Sequence, residues 1–140
     1  MRFESLTAEH VAKMGPLVHI HSKFEPTPEF ALELEDCGGM AAVLEDGTVV
    51  AIAGIMVQWR GVGLAWAWLS RGWRRYAREI TEKMREMLDS SDLHRIEVAV
   101  KYGFMAGYRW VERLGFRLET PRAVAWGPDK ADYSIWVRIG

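Results

Sequence analysis

Four arginines lie where a strand-like run ends and a helix-like pattern begins, in the segment WLSRGWRRYARE of residues 68–79. They are Arg71, Arg74, Arg75 and Arg78. The start of a helix carries a partial positive charge, so each cation there costs about 0.3–1 kcal/mol unless an anion is nearby. The cluster therefore indicates either a binding site for an anion such as phosphate or a solvated helix face with i,i+4 ion pairs to Glu79 and Glu82.

Few other residues with reactive or metal-binding side chains form a recognisable motif. His19 and His21 form a His-x-His pair, but no cysteine or third histidine lies near them in the sequence. A zinc site needs a larger set of ligands, so we predict no metal site. The sequence also contains no P-loop and no nucleophile elbow of the hydrolase type.

The elements that would position these residues alternate between strands and helices. Asp46-Gly47 between two apolar runs predicts a hairpin, and the alternation in LAWAWL, residues 64–69, predicts a further strand. Apolar residues at helical spacing from Trp73 predict a helix that leads into the strand RIEVAV, residues 95–100. Because a strand–helix–strand unit places its strands parallel, strands 64–69 and 95–100 should be parallel neighbours.

Further elements complete a single mixed α/β domain over residues 1–140. The predicted strands are Arg2–Ser5, Arg117–Thr120 and Tyr133–Ile139, and the predicted helices begin at Thr7, at Pro28 and at Phe104, the last ending at Leu114. Gly38 and Gly39 should end the second helix, and Gly115 should end the last one. A chain of 140 residues with 49% hydrophobic residues can bury one full core.

Charge and cysteine content exclude several classes of protein. Lys and Arg number 18 and Asp and Glu 19, so a net charge of -1 gives no reason to expect nucleic acid or an anionic membrane as the main partner. The single Cys37 cannot form an internal disulfide, and no signal-like N-terminus or apolar run of membrane-spanning length is present. We therefore predict a cytoplasmic protein.

The string AGYRWVERLGFRLET, residues 106–120, resembles the C-terminal motif of GNAT superfamily N-acetyltransferases, in which a helix ends in a Leu-Gly-Phe-like phrase and runs into a strand. The order of elements from residue 1 to residue 140 is also similar to that family. The resemblance implies a GNAT-like acyl-CoA N-acyltransferase fold of the mixed α/β class. Its mixed, mostly antiparallel sheet would have about six or seven strands, flanked by about four helices.

The resemblance implies acetyl-CoA as cofactor. In this family the loop after the fourth strand wraps the pyrophosphate of coenzyme A with backbone N–H groups, and arginines placed there would face phosphate. The corresponding candidates are Trp68, Leu69, Ser70, Arg71, Gly72, Trp73, Arg74 and Arg75. The second glycine that is usual in this loop is absent, because Gly72 stands alone beside the bulky Trp73 and Arg74.

The resemblance also implies a general acid and a general base. Many family members carry a tyrosine four residues before the glycine of the Leu-Gly-Phe phrase, and that position is Val111 here. Tyr108 and Tyr102 are substitutes with the same phenol chemistry, and the alternative for each is a packed aromatic residue. Glu97 is the candidate base that takes a proton from an amine, and its alternative is a solvent-facing strand position.

Two functions stay open at this stage. The first is an acetyl-CoA-dependent N-acetyltransferase that acts on an amine of a small molecule or a protein. The second is a catalytically weakened GNAT-like domain that acts as a phage structural or binding protein, since this compact chain resembles GNAT-like proteins of tailed phages, some of which are carried in the virion. A homodimer formed through a sheet edge near the C-terminus is a further open alternative.

Overall fold

The computed structural model of the chain describes residues 1–14, 27–128 and 130–140, so His19 and His21 lie outside the described residues. The described residues form seven strands: β1 (Arg2–Ser5), β2 (Met40–Val43), β3 (Val49–Trp59), β4 (Val62–Leu69), β5 (Arg95–Lys101), β6 (Arg117–Ala123) and β7 (Tyr133–Ile139). Their helices are α1 (Ala8–Ala12), α2 (Pro28–Asp36), α3 (Ala77–Asp89), α4 (Met105–Arg113) and a short 3-10 helix (Trp73–Tyr76). The predicted mixed α/β class is confirmed. None of these helices is long and apolar enough to cross a membrane.

The strands form one sheet in the order β1-β2-β3-β4-β5-β7-β6. β4 and β5 pair in parallel, with Val62–Leu64 beside Arg95–Glu97, as the strand–helix–strand pattern predicted. The pairs β1–β2, β2–β3, β5–β7 and β6–β7 are antiparallel. The sheet is therefore mixed and mostly antiparallel, as the family resemblance implied.

The chain forms two compact units. Unit 1 comprises Met1–Met56 and Trp66–Lys83, and unit 2 comprises Val57–Ala65 and Met84–Gly140. β3 and β4 each contribute residues to both units. The single domain over residues 1–140 stays a prediction.

The hairpin of β2 and β3 is the framework of unit 1. Gly47 has a positive φ of 90° in its turn, and the Asp46 carboxylate accepts a hydrogen bond from Thr48 N at 2.9 Å. Both features are typical of an Asp-Gly hairpin, which confirms the predicted turn. A cluster of buried residues in this unit includes Leu6, Val11, Ala31, Leu34, Ala41, Val43, Val49, Ile52 and Trp68.

Helix α2 begins and ends where its sequence predicts. Thr27 Oγ1 accepts from Phe30 N at 3.2 Å, which is N-cap chemistry, and Pro28 occupies the first turn, where its missing N–H costs nothing. The helix ends at Asp36, and Gly38 follows with a positive φ of 75°. Helix α1 also has a threonine N-cap.

In unit 2, α4 lies close against β5. Gly107 is buried in α4, and a Cβ atom there would lie 2.7 Å from Val100 Cγ1 on β5. Gly115 has a positive φ of 96° and ends the helix as predicted, so that the chain enters β6. β6 runs to Ala123 and is longer than the predicted strand, which ended at Thr120.

Candidate active site

The turn after β4 places the predicted cofactor-binding segment at the end of a strand. Ser70 N donates to Val50 O at 3.0 Å, and Trp73 N donates to Ser70 O at 3.1 Å and closes the turn. Gly72 precedes the 3-10 helix with an ordinary φ of -84° and no side-chain cap. Helical residues begin at Trp73 as predicted, but the first turn is a tighter 3-10 turn and the α-helix itself begins at Ala77.

Three arginines of this segment have no ionic partner among the described residues. Arg71, Arg74 and Arg75 are exposed, and no described carboxylate lies within ion-pair distance of them. Arg78 pairs with Glu82 at 3.5 Å. Of the two ion pairs that a solvated helix face would form, the Arg78 pair is present and the Arg75 pair is not.

The same turn offers backbone donors. Within the described ranges, the N–H groups of Arg71 and Gly72 donate to no acceptor. A Cβ atom on Gly72 would meet open space, with Ser70 Oγ the nearest atom at 4.0 Å. Free N–H groups beside unpaired arginines suit phosphate oxygens, so these residues fit the pyrophosphate of coenzyme A.

Trp68, Leu69 and Ser70 are the first of the predicted cofactor-binding residues, and each is buried or half-buried. Trp68 is 5% exposed and stacks on Phe30, with ring centroids 6.0 Å apart. Trp66 packs edge-on against Trp68 at 6.1 Å. Leu69 is half-buried and Ser70 is buried. The buried Trp68 side chain leaves only its backbone for contact with a ligand.

Tyr108, a candidate acid on α4, brings its phenol to the end of β5. The phenol oxygen accepts from Gly103 N at 2.7 Å and lies 2.8 Å from Ser134 Oγ on β7. Ser134 is 1% exposed and donates to Pro121 O at 2.7 Å. The Tyr108 ring packs against Trp136, with centroids 5.3 Å apart. The phenol is therefore fixed by packing and by a chain of hydrogen bonds within unit 2.

Tyr102, the second candidate acid, directly follows β5 and is 49% exposed. The guanidinium of Arg122 lies 4.7 Å from its ring centroid, and Asp132 holds that guanidinium with a 2.7 Å bond to Nε. Tyr102 N also donates to Asp132 O at 3.0 Å. The Tyr102 backbone and ring are thus held in place while the residue stays open to solvent.

Glu97, the candidate base, is a half-buried residue of β5 with a cationic neighbour. Arg95 Nη2 lies 3.4 Å from Glu97 Oε1, and the same guanidinium binds both carboxylate oxygens of Glu119 on β6. The Glu119 carboxylate raises the pKa of Arg95, and the Arg95 guanidinium lowers the pKa of Glu119. Arg95 therefore links two carboxylates, and one of them is the candidate base.

The candidate acids and the candidate base do not form one contiguous cluster. Tyr102 and Tyr108 share the connection between β5 and α4, but Glu97 lies about 16 Å from Tyr102 along an extended strand. Val111, at the position of the family's tyrosine, is 3% exposed and belongs to the core. In the described part of the chain, no group of three or more His, Cys, Asp or Glu side chains is arranged to hold a metal ion.

Two residues that contact the candidates were missed by sequence reasoning. Ser134 binds the Tyr108 phenol, and Arg95 binds the Glu97 carboxylate. The serine in the apolar run YSIWV is a signal that could have found Ser134, because a buried hydroxyl needs a hydrogen-bond partner. No comparable signal exists for Arg95.

Comparison with solved structures identifies the fold. No known protein-family profile and no curated protein sequence matches the chain. Ard1 from Thermoplasma volcanium superimposes with a TM-score of 0.80 and 12% identity, over 99% of this chain and 96% of that one. The ribosomal-protein-S18-alanine N-acetyltransferase from Escherichia coli gives a TM-score of 0.75 and 15% identity, over 99% and 92% of the two chains.

A third similar structure was solved with its cofactor. The GNAT superfamily phosphinothricin acetyltransferase from Sinorhizobium meliloti, in complex with AcCoA, gives a TM-score of 0.70 and 15% identity, over 99% of this chain and 87% of that one. Identities this low establish the fold alone. The chain has the fold of GNAT-family acetyltransferases, and the fold implied by the sequence resemblance is confirmed.

Proposed function

We propose that the chain is an acetyl-CoA-dependent N-acetyltransferase that transfers an acetyl group to an amine of a small molecule or a protein. One observation carries the proposal: Arg71, Arg74 and Arg75 are exposed and unpaired within the described residues, in a turn with free N–H groups. That turn belongs to a fold shared over nearly the whole chain with acetyltransferases, one of them in complex with AcCoA.

An anion would resolve the electrostatic conflict in this turn. Without one, each arginine near the start of α3 costs about 0.3–1 kcal/mol, because the helix N-terminus is itself positive. Phosphate groups reverse the sign of this effect and form charge-assisted bonds with guanidinium and backbone N–H groups. We assign the pyrophosphate to Arg71, Gly72, Arg74 and Arg75, with Ser70 and Trp73 closing the turn that presents them.

Two proton transfers complete the proposed reaction. Acetyl-CoA supplies the acetyl group as a thioester, and its transfer to an amine needs one proton removed from nitrogen and one delivered to sulfur. We assign delivery of the second proton to Tyr108, with Tyr102 as the other candidate. Glu97 receives the proton of the amine through a chain of water molecules, because it does not lie in one cluster with the candidate acids, and the contact with Arg95 fixes the position of its carboxylate.

Calorimetric titration with acetyl-CoA and with free CoA tests the phosphate assignment. The variant Arg71→Ala/Arg74→Ala should lose about 1.5–3 kcal/mol of binding free energy per charge-assisted contact removed. Its unliganded stability should hold or rise slightly, because each substitution takes a cation away from the positive end of a helix. The matched control is Lys13→Ala/Arg60→Ala, which removes the same number of exposed cations and should bind as wild type does. Unchanged affinity of the arginine variant would contradict the phosphate role.

Gly72→Ala separates ligand binding from folding in the same titration. The new Cβ atom meets open space and the glycine φ is ordinary, so the unliganded protein should melt within about 0.5 kcal/mol of wild type. If phosphate approaches the backbone at this residue, the added methyl group should nonetheless weaken CoA binding.

The alternative is a catalytically weakened GNAT-like domain that acts as a phage structural or binding protein. The burial of Val111 at the position of the family's tyrosine is the observation that favours it. Thermal unfolding with acetyl-CoA is the first test between the two functions. A ligand at about 100 times its Kd stabilises the native state by roughly 2.7 kcal/mol. No shift with millimolar acetyl-CoA would contradict the enzyme, and binding without thiol release in the presence of amines would support the alternative.

A further inference from the structure

A chain of three hydrogen bonds in unit 2 joins four separate parts of the sequence. Gly103 N donates to the Tyr108 phenol oxygen at 2.7 Å, that oxygen lies 2.8 Å from Ser134 Oγ, and Ser134 Oγ donates to Pro121 O at 2.7 Å. Ser134 is 1% exposed. A buried hydroxyl is costly unless it is bonded, so its position beside a phenol is well defined.

Counting protons fixes the direction of each bond. Ser134 has a single hydroxyl proton, and while it is donated to the Pro121 carbonyl, the Tyr108 hydroxyl must be the donor to Ser134. In this arrangement the phenolic proton points at Ser134. If the Ser134 hydroxyl turns toward Tyr108 instead, the phenolic proton is released for another acceptor. Pro121 is an exposed residue, and the rearrangement requires that water replace the bond that its carbonyl loses.

We infer that Ser134 is a positioning residue for Tyr108, whose hydroxyl turns from Pro121 to the phenol oxygen when Tyr108 gives up its proton. The inference rests on the proposed function. As the carbon–sulfur bond of the thioester breaks, the phenolic O–H bond also breaks, and the proton goes to sulfur. The negative oxygen then accepts two bonds, from Gly103 N–H and from Ser134 O–H, and is later reprotonated by water. Hydrogen bonds to an ionised oxygen are about twice as strong as neutral ones.

The inference can be tested by substitution of Ser134, because the Tyr108 ring is also held by its contact with Trp136. The Tyr108 ring has its own contact with that indole, so it should stay in place when the Ser134 hydroxyl is removed. The experiment uses four proteins: wild type, Tyr108→Phe, Ser134→Ala and the double variant. Thiol release from acetyl-CoA is measured against a panel of peptide α-amines and small primary amines, and CoA affinity is measured by calorimetry.

We expect Tyr108→Phe to lower kcat by about 10²-fold or more, as the loss of a general acid does. Ser134→Ala should lower kcat by about 10-fold or more while KM and CoA affinity change less than about twofold, because only the ionised phenol needs the second donor. In the Tyr108→Phe background, Ser134→Ala should have no further effect on kcat. Ser134→Cys, which leaves no cavity but donates poorly, should lower kcat as Ser134→Ala does and guards against a cavity as the cause.

Hydrogen exchange of the Gly103 amide gives a readout that does not depend on turnover. Tyr108→Phe should speed this exchange because the amide loses its acceptor, whereas Ser134→Ala should leave it within about threefold of wild type. Equal loss of protection in both variants would mean that Ser134 merely holds the ring, and it would overturn the inference. So would a kcat loss from Ser134→Ala that persists in the Tyr108→Phe background, or full kcat in Tyr108→Phe. Wild type that binds CoA but acts on no amine would overturn the proposed function and the inference together.

Discussion

Among single residues, Asp132 organises the connection between β6 and β7. Its carboxylate accepts from Ala125 N at 2.8 Å and from Arg122 Nε at 2.7 Å. Ala125 has a positive φ of 54°, a conformation that costs an L-residue free energy unless its surroundings hold it. The Ala125 N–H and then the Arg122 guanidinium lower the pKa of Asp132.

Asp132→Ala should therefore destabilise the protein in a pH-dependent way. A carboxylate with a lowered folded-state pKa stabilises the fold above its unfolded pKa of about 3.9, and this contribution is lost as pH falls through the folded-state value. Thermal unfolding should show the variant melting below wild type at neutral pH, with a difference that shrinks below about pH 4. Asp92→Ala, at an exposed aspartate, is the control. A difference that stays constant down to about pH 3 would exclude this role of the carboxylate.

The partners of single residues could not be predicted from the sequence. The exposed arginines were predictable, because four cations at a strand–helix junction conflict with simple helix electrostatics. Ser134, by contrast, is 26 residues from Tyr108, and Glu119 is 24 residues from Arg95. Both contacts depend on which strands are neighbours and in which register, and no local pattern contains that information.

Between elements, α4 approaches β5 closely at Gly107. A Cβ atom at this position would lie 2.5 Å from Phe104 Cδ2 and 2.7 Å from Val100 Cγ1. Real Cβ atoms do not come so close, so an added methyl group must displace a neighbour. The glycine therefore serves packing, since a helix interior otherwise favours alanine.

Gly107→Ala should lower stability even though alanine is the better helix former. The gain in helix propensity is about 1 kcal/mol, and overpacking of a tight core costs typically 1–3 kcal/mol, so we expect a net loss of up to about 2 kcal/mol. Val100→Ala is the matched partner, because it removes the clash with β5 and leaves the clash with the Phe104 ring. Urea unfolding of both single variants and the double variant should show that Gly107→Ala is less harmful when it is combined with Val100→Ala. If the losses in unfolding free energy of the two single variants simply add in the double variant, contact with Val100 is not the cause of the Gly107→Ala destabilisation.

The ends of helices and strands were predicted correctly where local capping or turn residues define them. The starts of α1 and α2, the Asp-Gly turn and the glycine after α4 lie where the sequence places them. Helical residues after β4 begin at Trp73 as predicted, but the first turn is a 3-10 turn, and Gly72 offers no side-chain cap. The same turn contains the arginines of the candidate site. The uncapped 3-10 turn therefore lies within the proposed binding segment.

For the whole molecule, we expect unfolding in a single cooperative transition. β3 and β4 each contribute residues to both compact units. If one unit unfolds, it disrupts strands that the other unit also contains, so the two should unfold together. Differential scanning calorimetry should give equal calorimetric and van't Hoff enthalpies of about 100 kcal/mol, the average for a chain of this length. Two resolved transitions would contradict the prediction of one domain over residues 1–140.

The edges of the sheet bear on the homodimer that the sequence left open. Among the described strands, β1 and β6 are the outermost. β6 contains Pro121, which has no N–H, and its register against β7 shifts twice. Such an edge lacks the regular row of donors and acceptors that strand addition needs, so pairing of two copies along β6 is disfavoured.

The place of β7 in the sheet has a consequence for synthesis on the ribosome. β7 pairs with both β5 and β6, yet it is the last of the three to be translated. Until residues 133–139 have left the exit tunnel, β5 lacks its antiparallel neighbour and β6 has no partner strand, so unit 2 cannot close before then. A nascent chain stalled before Tyr133 would present unpaired backbone to chaperones and proteases, whereas β1, β2 and β3 could already be paired.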